Sequence, residues 1–321
     1  MSTAIQMPAA PAPTQADAAA QADVLSALRA SSTLVALKLT SWHAGKTDRN
    51  AGDEVEQTNG ATAGAVKVVK NRLAGADARL RAVHAHDAAV RDAPRVMTRP
   101  WHRSGTGDEG GHRLLPNVSF FNYMQTMSKL NRDRVALVQA VVDNWDADVA
   151  AAVSNLGQLA NPGDYPTKTQ LAAFFTMRLE YQPLPDAGGY SALPGSAATL
   201  LSNALAKRAE DHMKNAVQAT FKEARATAER LLRILSADTP RIHDPLLDDA
   251  RAILPSLQGF ASVARSCGLG GDADRMEELH DLLAGAVKGL DTKTLRKSEA
   301  SKKELADTAR EMTDKLTAWG V

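Results

Sequence analysis

The stretch FTMRLEYQPLP, Phe175 to Pro185, decides how this chain is read. Phe175, Met177, Leu179 and Tyr181 alternate with Thr176, Arg178, Glu180 and Gln182, a period of two that specifies a strand, and Pro183 and Pro185 close it. One other stretch alternates as well: in LVALKLTSW, Leu34 to Trp42, Val35, Leu37 and Leu39 stand against Ala36, Lys38 and Thr40. The two are predicted to pair, because each strand alone leaves its backbone ladder groups unsatisfied.

Between and beyond these strands the periodicity is helical. Val66, Val69, Leu73, Ala76, Leu80, Val83 and Val90 recur at threes and fours, apart from one skipped step, and predict a helix near Ala61 to Arg91, with Pro94 and Pro100 after it. A second helix is predicted from about Ser119 to Leu156, with Phe120, Tyr123, Met127, Leu130, Leu137, Val141, Trp145 and Val149 near one face. Thr167 and Gln170 have the spacing of a capping box for a short helix.

After Pro183 to Gly195, read as a domain boundary, Val217, Phe221, Ala224, Ala228, Leu231 and Leu235 mark a long helix. Asp244-Pro245 should open the next helix, Pro255 should kink or divide it, and Gly268, Gly270 and Gly271 should form a turn. Ser301 and Glu304 should cap the last helix. The expected fold is mainly α: a long helical hairpin with a small two-stranded antiparallel β ribbon, then an α-helical bundle with a coiled-coil-like region. The expected divisions are a disordered Ala/Pro-rich tail at 1–22, a hairpin-plus-ribbon domain at 23–190 and a C-terminal bundle at 191–321.

Composition narrows the function classes. The charge is nearly balanced at +1, and no apolar run approaches the ~18 residues a membrane span needs. The first residues lack a secretory signal, and the single cysteine, Cys267, excludes an internal disulfide framework; its apolar neighbours Val263 and Leu269 predict a buried thiol. From Lys67 to Arg134 thirteen Lys and Arg stand against six Asp and Glu, a local surplus that can attract phosphate or simply coat a solvated helix face. Ten of the fourteen aromatic residues fall between Trp101 and Tyr190, mostly at spacings that suit core packing.

No catalytic motif survives inspection. Gly45-Lys46-Thr47 follows a strand as a phosphate-binding loop would, but Thr40 occupies the position of its required glycine. His102, Asp108, Glu109 and His112 carry metal-ligating groups on a glycine-rich loop without fixed spacing, and His84 and His86 point to different faces of a helix. No cofactor and no metal are expected, and the chain reads as non-enzymatic. The expected partner-binding surface is the turn Trp42, Lys46 and Asp48 with the loop Trp101, His102 and Arg113, where rings and cations sit beside loops. Changing Trp42, Lys46, Trp101 and Arg113 to Ala should then abolish partner capture without unfolding.

Four pieces, LVALKLTSWHAGKTD (Leu34 to Asp48), RLLPNVSFFNYM (Arg113 to Met124), NPGDYP (Asn161 to Pro166) and FTMRLEYQPLPDAG (Phe175 to Gly188), together resemble a bacteriophage and prophage protein family of uncharacterised function. The resemblance spans about half the chain and stops after Tyr190; where the family usually has Arg-Lys after the turn glycine, this chain has Lys46-Thr47. It implies a phage accessory protein in the host cytoplasm, often encoded near a MoxR-type AAA+ ATPase and a von Willebrand factor A domain protein, and brings no catalytic residues. The leading expectation is an α-helical adaptor or scaffold with a protein partner, possible as a homo-oligomer. The alternative is a nucleic-acid-binding protein using the basic helix 67–103.

Overall fold

A computed structural model describes residues 24–101, 111–185, 195–237, 242–243 and 245–321. The protein is mainly α with a small antiparallel sheet. Its elements are α1 (24–31), β1 (Ser32–Thr40), β2 (Gly45–Thr47), α2 (Arg49–Asn59), β3 (Val69–Asn71), α3 (Ala78–Met97), β4 (Arg99–Pro100), β5 (Arg113–Pro116), α4 (Phe120–Asp143), α5 (Trp145–Leu156), α6 (Lys168–Phe174) and β6 (Thr176–Gln182). They continue with α7 (Gly195–Leu235), α8 (Pro245–Ala252), α9 (Leu254–Ser266), α10 (Gly270–Val287), α11 (Thr292–Lys297) and α12 (Glu299–Ala318).

Two compact units divide the chain, and neither is continuous in sequence. Unit 1 takes the chain up to Val35, Val96–Phe121 and Tyr181–Val321; unit 2 takes Ala36–Arg95 and Asn122–Glu180. This grouping differs from a sequential cut near residue 190, because each unit is assembled around its own apolar cluster from distant segments. The tail at 1–22 and most of the boundary Pro183 to Gly195 lie outside the described residues.

In unit 1 the apolar stripe of α7, including Met213, Val217, Phe221, Ala224, Ala228 and Leu231, is buried, and α7 packs against α12, α9 and α8. The heptad-like spacing is thus satisfied inside the chain. The first half of β1 pairs antiparallel with β5, from Ser32 opposite Pro116 to Val35 opposite Arg113, and β4 pairs with β5 on the other side. Arg99 of β4 is buried and donates to Glu223 at 2.6 Å and Ser256 Oγ at 2.7 Å, with its guanidinium over the Phe260 ring. Burial pushes the Cys267 thiol up to about 11, as an unreactive core residue requires.

Unit 2 encloses Trp42, Leu73, Leu80, Val83, Val141, Trp145 and Leu171. The second half of β1 lies beside β6, with Lys38 paired to Glu180 and Thr40 Oγ1 bonded to the Phe174 carbonyl. The two predicted strands are therefore neighbours, but the expected two-stranded ribbon is incomplete: β1 also pairs β5, and β2 pairs β3 separately.

Several boundaries are corrected. The helix predicted from Ala61 begins instead at Ala78. Gly60, in a left-handed conformation at φ 63°, ends α2, and the buried Glu56 carboxylate then accepts the amides of Gly64 and Val66, holding this segment in a turn. Leu73 fits the helical spacing because it is buried from a loop. α3 runs through Pro94 to Met97; a proline near a helix end forfeits few backbone bonds.

The second long helix divides at Asn144, whose side chain donates to the Ala140 carbonyl. Ser298, rather than Ser301, caps α12, because the helix starts at Glu299 and Ser298 Oγ accepts the Ser301 amide. Gly268 makes the turn at φ 81°, while Gly270 and Gly271 already belong to α10. Pro255 sits in the first turn of α9, where it separates α9 from α8; Asp244 lies outside the described residues. The Thr167 and Gln170 capping box is present in full.

Candidate functional site

The stretch Gly45-Lys46-Thr47 forms β2, in register with β3 so that Lys46 stands opposite Lys70. Two ammonium groups facing each other across a strand pair repel. Asp164, from the turn Pro162–Asp164, answers both: Lys46 Nζ donates to its Oδ1, and Lys70 Nζ lies 2.9 Å from its Oδ2, an ion contact rather than an aligned hydrogen bond. Lys70 also lies 3.0 Å from Asp48, whose other oxygen caps α2 by accepting the Ala51 amide.

This chain of charges sets the ionisation of its members. Burial pushes the Asp164 carboxyl up, but Lys46 and Lys70 outweigh it and hold the group below the usual carboxylate range. The negative charges of Asp164 and Asp48 beside it raise Lys70. As pH falls, an unfolded Asp164 takes its proton near 4, whereas the folded one resists until lower pH. Its stabilisation is therefore complete above about pH 4 and lost as pH falls through the folded value. The protection of β2 and β3 amides against hydrogen exchange, taken relative to the intrinsic rate at each pH, is expected to fall in that window for the parent protein, and Asp164→Asn should remove the part of that pH dependence that Asp48 does not contribute.

Arg72 closes the cluster on its other side. It donates from Nε to the Ala44 carbonyl at 3.2 Å, from Nη1 to the Asp164 carbonyl at 2.8 Å and from Nη2 to the His43 carbonyl, while its guanidinium sits 4.3 Å from the centre of the Trp42 ring. Burial lowers its pKa. Trp42 meets Trp145 edge to face at 5.1 Å, and Tyr165 donates to the Arg72 carbonyl.

Beside this cluster lies an open cleft of about 510 Å³, lined by Trp42, Arg72, the loop from Gly163 to Pro166, and Gln170, Ala173 and Phe174. The last three lie at helical spacings of three and four, so α6 presents one exposed face as a wall while Leu171 anchors its other face in the core. Phe174 is 49% exposed, a large ring at the rim.

The surface expected from sequence is redistributed. Trp42 is only 5% exposed and packs in the unit 2 core, and Trp101 is 3% exposed and stacks on His212 at 4.6 Å. Both rings are thus core components rather than exposed anchors, since burying a ring is worth more than leaving it beside a loop. Lys46 and Asp48 belong to the charge chain, Arg113 donates to Thr98, and His102 lies outside the described residues with Asp108 and Glu109. Among the described residues no group of three or more His, Cys, Asp or Glu side chains could hold a metal ion, and no helix is long and apolar enough to cross a membrane.

Sequence reasoning missed Lys70, Arg72, Asp164, Gln170 and Phe174 as companions. The available signals were the NPGDYP turn and the capping box, which bring Asp164 and Gln170 to the lining of the cleft. The chain matches no family model, no curated protein and no solved structure.

Proposed function

We propose that the protein is a non-enzymatic adaptor or scaffold, and that the cleft beside α6 is where unit 2 captures a segment of a partner protein. The supporting observation is the half-exposed Phe174 at the rim of an open cleft. A ring that costs solvent exposure at a concave site is the kind of anchor that protein contacts use. The resemblance to phage accessory proteins suggests host cytoplasm as the setting, and an AAA+ ATPase or a von Willebrand factor A domain protein as the partner class to look for first.

The adaptor reading is preferred to nucleic-acid binding because several cations of the basic segment are already engaged within the chain. Of the cations between Lys67 and Arg134, Lys70, Arg79, Arg81, Arg95, Arg99 and Arg134 are in ion pairs. Arg72 donates to carbonyls and Arg113 to Thr98. Lys70, Arg79 and Arg99 are answered by acids outside the segment, whereas Arg81, Arg95 and Arg134 pair with Asp77, Asp92 and Asp87 within it.

Affinity purification of the tagged full chain from phage-infected cells tests the reading. Phe174→Ser should remove the captured protein with little change in melting temperature, because the ring is half in water already. Phe121→Ser, which removes an 80% exposed ring in unit 1, should leave capture intact. Loss at Phe121 with retention at Phe174 would place the contact elsewhere. Capture that disappears with nuclease and falls steeply with salt would favour nucleic acid instead.

A further inference from the structure

The chemistry around the cleft constrains what occupies it. Three cations, Lys46, Lys70 and Arg72, stand against two carboxylates, Asp48 and Asp164, so the cluster carries an excess positive charge. Both Asp164 oxygens are taken up by the two lysines, which leaves Arg72 as the charged group at the cleft wall with no carboxylate directly bonded to it. Its hydrogen bonds go to the carbonyls of His43, Ala44 and Asp164. Arg134 and Arg99, which are more deeply buried than the half-buried Arg72, each have a carboxylate at 2.6 Å. A guanidinium has five N–H donors and Arg72 directs three of its bonds to carbonyls, so it retains capacity for an anion.

Gln170 adds a second donor. Its Oε1 accepts the Thr167 amide in the capping box, which assigns the amide orientation and leaves Nε2 available as a donor. The remaining wall is apolar: Trp42, Pro166, Ala173 and the exposed Phe174 ring. Donors, a positive charge and apolar surface lining the same cleft suit a ligand that is itself acidic and apolar.

We infer that the cleft takes an extended peptide segment of the partner carrying a carboxylate side chain next to an aromatic or large aliphatic one. The carboxylate meets Arg72 and Gln170, and the apolar side chain lies against Phe174, Ala173 and Pro166. This rests on the cleft being the docking site proposed above. The open form of the cleft favours a chain passing through it over a small acid enclosed by it, since pockets for small ligands bury most of the ligand surface.

The test is selection of a random displayed peptide library on the immobilised full-length protein, followed by affinity measurement on the selected peptides as synthetic labelled probes. Two variants separate the outcomes. Phe174→Ser removes the apolar wall. Gln170→Glu keeps the capping box, in which Glu is as suitable as Gln, while placing a competing carboxylate on the lining of the cleft that Arg72 shares. Selected sequences should be enriched in Asp or Glu adjacent to an aromatic or aliphatic residue, with binding weakened about tenfold or more by either variant. Changing the peptide's acid to its amide should weaken binding to the parent protein similarly.

Peptides that need Phe174 but show no acidic preference, or that bind Gln170→Glu as well as the parent, overturn this inference and leave the docking cleft standing. A selection with no Phe174-dependent peptide removes both. Phenylacetate binding at the cleft without any selected peptide would identify it as a site for a small acid and also overturn the inference.

Discussion

Arg134→Met is expected to destabilise unit 2 by about 3–5 kcal/mol, the usual cost of leaving a buried charge without its partner. Arg134 is 3% exposed and donates from Nε to Asp87 at 2.6 Å; Asp87 is 1% exposed. The same guanidinium donates to the Thr40 carbonyl at 2.7 Å and to Ser41 Oγ at 2.9 Å, and Ser41 in turn donates to Asp87. One arginine on α4 thereby ties α3 to the end of β1. Methionine fills much of the volume, so the loss should come from the stranded Asp87 carboxylate and not from a cavity.

The pair Arg134→Met with Asp87→Leu should recover most of that loss, because two well-packed apolar side chains can replace a buried ion pair at little net cost. Recovery should stop short by about 1 kcal/mol, since the Thr40 carbonyl still lacks its donor. Urea denaturation followed by hydrogen exchange in α3 and α4 reads the effect within unit 2. Equal destabilisation in the single and double variants would show that packing, and not charge, dominates at this position.

What sequence could and could not disclose follows from the range of each interaction. β1 and β6 were legible because a period of two is written in consecutive residues, and the α6 capping box was legible because its two partners are three residues apart. β3 was not, since Val69–Asn71 is too short to show alternation, and only its register with β2 makes Lys46 and Lys70 neighbours. Asp164 then had no visible reason to be acidic. Arg134 reads from sequence as one more cation on a helix, because its partners Asp87, Thr40 and Ser41 lie 47 to 94 residues away. The turn set by Glu56 likewise depends on a carboxylate curling back onto amides eight and ten residues on, which periodicity reads as helix. The mainly α class was within reach of local pattern; the interleaving of two cores was not.

Trp42 shows the consequence of that limit most directly. Beside the basic turn of GKT it reads as an exposed anchor, and Trp42→Ala would then cost binding alone. In the folded chain its ring is edge-on to Trp145, carries the Arg72 guanidinium on its face and shares a cluster with Leu73, Leu80, Val83 and Val141. Its backbone carbonyl also holds His84 Nε2 at 3.0 Å, a bond the substitution leaves in place. Truncation to alanine should therefore open a cavity and cost about 3–5 kcal/mol, as large-to-small changes at buried aromatic positions do.

It should also strip Arg72 of its aromatic face and widen the cleft floor, so peptide capture would fall together with stability. Trp42→Phe keeps a ring over which Arg72 can sit and should retain most of both. The two substitutions thus separate packing from recognition: a Trp42→Ala protein that melts with the parent yet fails to bind would return Trp42 to the role of an exposed anchor, whereas a destabilised one places it in the floor that supports Arg72. Phe174→Ser provides the contrast, with binding lost and stability kept, because a rim ring does its packing only when the partner arrives.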